Sequence, residues 1–199
     1  MRGRDGRAAG RAAGPSPETT LRYGGELVRL AAIEPEADAE VFAAWFDDPV
    51  STRLAGFRPV WPMSRGSAQE RLEEWVKASP GAINFATRTI ADDRLVGGIG
   101  LMDINHPDGN AQLGLSVYQQ DDWGRGYGGE MIVLALRYAF NELNLHRVWL
   151  TTSDFNERAL KLYEKLGFRH EGRGREHILL DGTRWDIVYM GILRDEFLG

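Results

Sequence analysis

Trp123-Gly124-Arg125-Gly126-Tyr127-Gly128-Gly129 is the stretch from which the rest of the chain is read. It follows a predicted strand, Gln112 to Tyr118, and leads into a helix predicted from about Gly129 to Leu143. At such a junction unpaired backbone N–H groups and the positive end of the helix dipole converge. Glycines let an anion approach those donors with no Cβ in the way, so the loop reads as a phosphate site. A glycine-rich turn that binds nothing is the plain alternative.

Working outward, the predicted helix is followed by the β-branched strand Val148 to Thr152 and a helix from Glu157 to Leu166 that ends in Gly167. A long hairpin closes the chain, Arg169 to Leu180 and Arg184 to Ile192, joined by Asp181-Gly182, the pair favoured in a two-residue I′ turn. Upstream lie two strands, Ile83 to Ile90 and Leu95 to Asp103, about the turn Ala91 to Arg94, and then the turn residues His106-Pro-Asp-Gly-Asn110. Further back, Glu26 to Leu30 reads as a short strand. A helix from Ala37 to Asp47 carries Val41, Phe42, Trp45 and Phe46, and Pro49 is expected to close it. An irregular stretch holds Phe57 and Trp61. After it a helix from Ser67 to Lys77 is expected to turn Leu72, Trp75 and Val76 inward. These elements describe an α/β (α+β) domain at residues 21–199, with a mixed, mostly antiparallel central sheet of about seven strands flanked by about four helices.

The composition agrees with one ordinary domain: 199 residues, 43% hydrophobic, no Cys. Absence of Cys excludes thiolate zinc sites, iron–sulfur clusters and a Cys nucleophile. The four His form no metal pattern, since His170 and His177, seven apart on one predicted strand, point to opposite faces, so no metal is expected. Residues 1–20 are Gly, Ala, Arg and Pro with little to bury and read as a disordered basic tail. The formal charge of -5 argues against a nucleic-acid partner and favours cationic or amine substrates. No apolar run approaches the ~20 residues of a membrane span, so no membrane partner is expected and the protein is placed in the cytoplasm.

The glycine cluster fits two ligand motifs. As Gly124-x-Gly126-x-x-Gly129 it matches a dinucleotide fingerprint, with Asp154 25 residues on as the ribose acid. A coenzyme A pyrophosphate loop is the alternative. Context separates them: a dinucleotide domain repeats βαβ units, and this chain has one good unit among hairpins. Together the loop, the segment Asn156-Glu-Arg-Ala-Leu-Lys-Leu-Tyr163-Glu-Lys-Leu-Gly-Phe168 and the strands before them resemble the GCN5-related N-acetyltransferase superfamily, in its branch of ribosomal-protein and spermidine acetyltransferases. The likeness spans residues 25–195.

That resemblance implies the acyl-CoA N-acyltransferase fold, acetyl-CoA as cosubstrate and an amine-bearing acceptor, either a small molecule or a protein N-terminus, with a homodimer as a candidate assembly. It assigns the pyrophosphate to Trp123, Gly124, Arg125, Gly126, Tyr127, Gly128 and Gly129, and pantetheine pairing to the backbone of Leu115 and Val117 in a strand that splays from its neighbour. Asn156 becomes a coenzyme contact as well as a helix cap. Tyr163 becomes the acid that protonates the departing thiolate, although beside Leu160 and Leu166 the residue alone reads equally as core. Several relatives carry an acidic residue where Gln112 stands, so Asp103 is the expected base, with His106 second. Trp45, Phe57 and Trp61 are candidates for lining the acceptor pocket, with packing as the competing role. A non-catalytic CoA-binding regulatory module and a nucleotide-dependent oxidoreductase are the competing functions.

Overall fold

A computed structural model describes residues 23–77 and 79–198, so the basic tail lies outside the described residues. Seven strands form one sheet: β1 (Val28–Ala31), β2 (Ile83–Thr89), β3 (Leu95–Asn105), β4 (Asn110–Val117), β5 (Arg147–Ser153), β6 (Arg169–Leu180) and β7 (Thr183–Leu193). Their order is β1-β2-β3-β4-β5-β7-β6. Every pairing is antiparallel except β4 with β5. That parallel pair is the βαβ unit expected around the glycine loop, its crossover made by helix α4 (Tyr127–Arg137). The remaining helices with bounds inside the described residues are α1 (Pro35–Phe46), α2 (Pro49–Leu54), α3 (Arg65–Val76) and α5 (Glu157–Lys165).

Strand alternation gives the sheet two apolar faces. One buries Ile99, Leu113, Val148 and Leu150 with Met131, Ile132 and Ala135 of α4. The other buries Ala86, Leu95 and Tyr118 under Phe42, Trp45 and Phe46 of α1 and Leu72 of α3. Trp45 lies in this aromatic layer, its ring centroid 4.9 Å from that of Tyr118.

Several boundaries differ from the sequence reading, for local reasons. Pro49 does not merely stop α1; it occupies the first turn of α2, where its missing N–H costs nothing. Asp48 caps that helix, accepting from the Val50 N–H at 2.9 Å and the Ser51 hydroxyl at 2.5 Å. Helix α4 ends at Arg137 and runs on as a π turn, Tyr138–Glu142. Val76 is 51% exposed rather than turned inward, because α3 rests on the sheet through Ala68 and Leu72. The Asp181-Gly182 turn is as expected, with φ of 49° and 80°, the double positive φ of a I′ hairpin. Among the described residues no helix is long and apolar enough to cross a membrane.

One carboxylate ties the start of the fold to the glycine loop. Glu130, in the first turn of α4, accepts from the N–H groups of Glu26, Leu27 and Val28 at 2.6, 2.7 and 2.6 Å. Gly25 is required beside it, because a Cβ there would lie 2.3 Å from the Glu130 side chain. Replacing Glu130 by Ala removes a charged acceptor from three donors and is expected to destabilise the protein by about 1–3 kcal/mol. Chemical denaturation checks this, and Glu130→Gln should retain part of the loss.

Candidate active site

The register of the sheet opens the site. Strand β4 pairs with β5 at Asn110, Ala111 and Gln112 only, opposite Arg147, Val148 and Trp149, whereas its pairing with β3 continues to Val117 opposite Gly97. The Tyr118 N–H donates to the Val96 carbonyl at 2.9 Å. By antiparallel alternation the backbone groups of Leu115 and Val117 then point away from β3, into the gap beside β5. Their side chains face the helices, within reach of the first turn of α4 and of Leu162 on α5. The expected splay of this strand is thus present.

A cleft of about 310 Å³ occupies the gap. It is lined by Leu115 and Val117 from β4, by Trp123, Gly124, Gly126, Gly128 and Gly129 from the loop, and by Asn156 and Tyr163 from α5. Gly124 and Gly126 adopt φ of 79° and 93°, which turns the loop tightly and makes Gly126 the N-cap of α4. The first N–H groups of that helix therefore open toward the cleft rather than being covered by a side-chain cap. Asn156 caps α5 through its side-chain oxygen, which accepts from the Ala159 N–H at 3.3 Å and leaves the amide nitrogen free to donate. Trp123 donates its indole N–H to the Val117 carbonyl at 3.1 Å, satisfying a group that the splay would leave orphaned. Arg125 and Tyr127 are placed elsewhere: Arg125 is exposed and bonds the Asp121 carbonyl at 2.8 Å, while Tyr127 packs on the core beneath the loop.

Tyr163 is buried at the base of this cleft, its ring 5.8 Å from that of Phe168. Burial pushes the phenol up to about 12, so it stays protonated and able to donate. Asp103 is not brought to the cleft. It sits with φ of 49° at the irregular end of β3, exposed, and neither it nor His106 lines either cavity described here.

On the other face of β4 lies a second cavity of about 500 Å³, meeting the first at Ala55, Leu115 and Ser116. Its floor is nearly bare, because Gly98, Gly100 and Gly114 occupy positions where side chains would project. A Cβ on Gly100 would lie 2.3 Å from the Asn84 amide oxygen, and one on Gly98 would lie 2.8 Å from the Tyr118 hydroxyl. Phe57 and Trp75 form the walls. Of the other aromatic candidates, Trp45 is core, and Trp61 is 46% exposed against Phe46.

Four groups at these cavities were not legible as site residues. Arg158 stacks its guanidinium 3.8 Å from the Trp123 ring centroid and lines the first cleft. Burial pulls its pKa down from the ordinary value, and among the described residues no carboxylate pairs with it, so it is free for a phosphate. Its place two residues after the Asn156 cap was the available signal. Asp122 is buried in the cleft wall and held by Arg94 in a two-point pair at 2.7 and 2.8 Å. Helix α2 closes the cleft with Ser51 and Leu54. Arg71 of α3 reaches the second cavity. Asp154, the acid required by the dinucleotide reading, instead pairs with Arg173 at 2.8 Å and does not line the cleft.

Comparison with known proteins bears on this geometry. Residues 28–169 match the family model described as acetyltransferase (GNAT) domain. The chain is 32% identical over 174 residues, 87% of its length and 93% of the relative's, to the SPbeta prophage-derived uncharacterized N-acetyltransferase YokL of Bacillus subtilis. It is 32% identical over 118 residues, 58% of its length and 68% of the relative's, to spermidine N(1)-acetyltransferase of Vibrio cholerae. A crystal structure of spermidine N-acetyltransferase from Vibrio cholerae in complex with CoA and spermine superposes with a TM-score of 0.76 at 25% identity, over 86% of this chain and 98% of that one.

Proposed function

The chain belongs to the GNAT acetyltransferase family and is an acyltransferase, and we propose that it moves the acetyl group of acetyl-CoA to a primary amine by direct attack in a ternary complex. The observation that carries this reading is the junction of two cavities at the β4 splay, one fitted to an anionic coenzyme and the other to an acceptor. Acetyl-CoA supplies the acetyl group as an activated thioester. The N–H groups opening α4 and the Arg158 guanidinium receive its phosphates, and Asn156 offers a further donor. The Leu115 and Val117 N–H groups, aimed into the gap, pair with the amide-bearing arm and polarise the thioester carbonyl.

A neutral amine then forms the new C–N bond as the C–S bond breaks. Tyr163 donates its proton to the leaving sulfur, a transfer uphill by itself because a thiol is more acidic than a phenol held near 12, and the strongly acidic proton that the nitrogen carries after attack restores the phenol and draws the transfer to completion. Among the described residues neither carboxylate nor imidazole lines the second cavity, and in this reading the amine loses its first proton to water rather than to a protein base. This cleft would bind nicotinamide dinucleotides poorly, with Asp154 engaged elsewhere, and Tyr163 argues for turnover rather than silent coenzyme binding.

Acetyl-CoA consumption across a panel of polyamines, peptide N-termini and small amines tests the reading directly, and no turnover with any acceptor would count against it. Three outcomes follow from the geometry. Gly128→Val places methyl groups between Leu115, Val117 and Leu162, where an ideal Cβ already sits 3.7 Å from Leu162 and Val117. Calorimetry should then record coenzyme affinity weakened on the order of tenfold or more, with the folded state retained. Tyr163→Phe keeps the ring and removes the proton, so kcat should fall about 10²-fold while KM for acetyl-CoA holds. An unchanged kcat where chemistry limits the rate would make Tyr163 a packing residue. Finally, log kcat/KM should rise with a slope near 1 up to the ionisation of the amine itself, at about pH 9–10 for an alkyl amine. A plateau near neutrality would reveal a base such as Asp103 or His106.

A further inference from the structure

We propose that the acceptor is a small primary amine carrying a carboxylate on an apolar or aromatic body, the carboxylate being received by Arg71 in the wall of the second cavity. This rests on the acetyl-transfer reading for the amine and on the cavity itself for the carboxylate. Arg71 projects from α3 into a cage of three rings, its guanidinium carbon 5.2 Å from the Phe46 centroid, 5.4 Å from Phe57 and 6.0 Å from Trp75. Its Nε is buried with no hydrogen-bond partner. By contrast Arg88, whose side chain is also largely buried, is paired with Asp38. Aromatic faces attract a cation but accept none of its planar N–H donors well. Among the described residues, Arg71 therefore holds an unneutralised charge and an unused fork at a cavity wall, the arrangement that a carboxylate satisfies with two parallel hydrogen bonds.

The lining supports the rest of the assignment. Among the described residues no Asp or Glu borders this cavity, so a polyamine reaching the splay with one nitrogen would leave its other charges beside a guanidinium with no counter-ion. The glycine floor and the Phe57 and Trp75 walls suit a flat apolar body. The cavity meets the coenzyme cleft at Ala55, Leu115 and Ser116, so an acceptor whose amine lies at that junction shares the cavity with Arg71 and Trp75.

The test uses a matched series in which one ring carries the amine and only the opposite substituent changes: 4-(aminomethyl)benzoate, benzylamine and p-xylylenediamine. With the full chain and saturating acetyl-CoA, kcat/KM is expected to favour the carboxylate over benzylamine by about tenfold or more, with the diamine lowest. Arg71→Met should erase that preference by raising KM for the carboxylate, and Arg71→Lys should restore part of it as a point charge. A preference for the diamine, or a carboxylate preference that survives in Arg71→Met, overturns the proposal. Calorimetric binding of 4-methylbenzoate provides an arm that needs no turnover: it should bind the native protein and bind Arg71→Met about tenfold or more weakly. Arg71-dependent binding without acetylation of any amine would sink the transfer reading and leave the anion site standing. Acetylation indifferent to Arg71 would do the reverse.

Discussion

Everything at the functional centre depends on β4 and β5 parting after Gln112 and Trp149. A parallel pair normally continues for the length of its strands, because each unpaired N–H or C=O left away from water costs free energy. Here the cost is contained in three ways. The Val117 carbonyl is taken by the Trp123 indole, the β3 side of the strand stays fully paired, and the remaining groups face a cleft open to a ligand. A splay held on both flanks by good pairing becomes a rigid slot of backbone donors.

Period-two alternation of β4 divides the chemistry between the faces of the sheet. Leu115 and Val117 face α4 and α5 and with them bound the cleft that suits a coenzyme arm. Gly114, Ser116 and Tyr118 face the layer of α1 and α3 and bound the cavity that suits an acceptor. The two ligands can therefore approach the splay from different sides and meet there, which direct transfer requires and a stepwise carrier mechanism does not. Gly98, Gly100 and Gly114 add nothing to the core. Their missing side chains admit the Tyr118 hydroxyl, the Asn84 amide and the Met102 methyl to the floor of the second cavity.

Charge is placed with the same economy. Two guanidiniums, Arg158 against Trp123 and Arg71 among Phe46, Phe57 and Trp75, rest on aromatic faces without carboxylates. One lies at each cavity. The largely buried Arg88 is instead neutralised by Asp38, so these two guanidiniums sit where an anion could arrive. Tyr163 adds a neutral donor, a phenol protonated at neutral pH whose ionisation burial pushes further up.

Local chemistry made much of this legible in the chain. The glycine loop, the Asn156 cap, the Asp181-Gly182 turn and the alternating strands each depend on neighbours within a few residues, and the structure has them within a residue or two of where they were expected. Helix α2 escaped notice because Pro49 signals a stop and a start equally well from sequence. Asp103 lies away from the cleft for a geometric reason: the end of β3 is irregular and holds it exposed with a left-handed φ, and spacing along a strand does not encode a bulge. Arg71, Arg158 and Glu130 find their partners across long sequence separations, so only folding could identify them. The sequence by itself determined most of the elements, their order along the chain and the glycine loop, since these follow from periodicity and backbone freedom. Tertiary structure alone decided which charges stay unpaired and where the two cavities meet, because both depend on the three-dimensional arrangement of residues far apart in the chain.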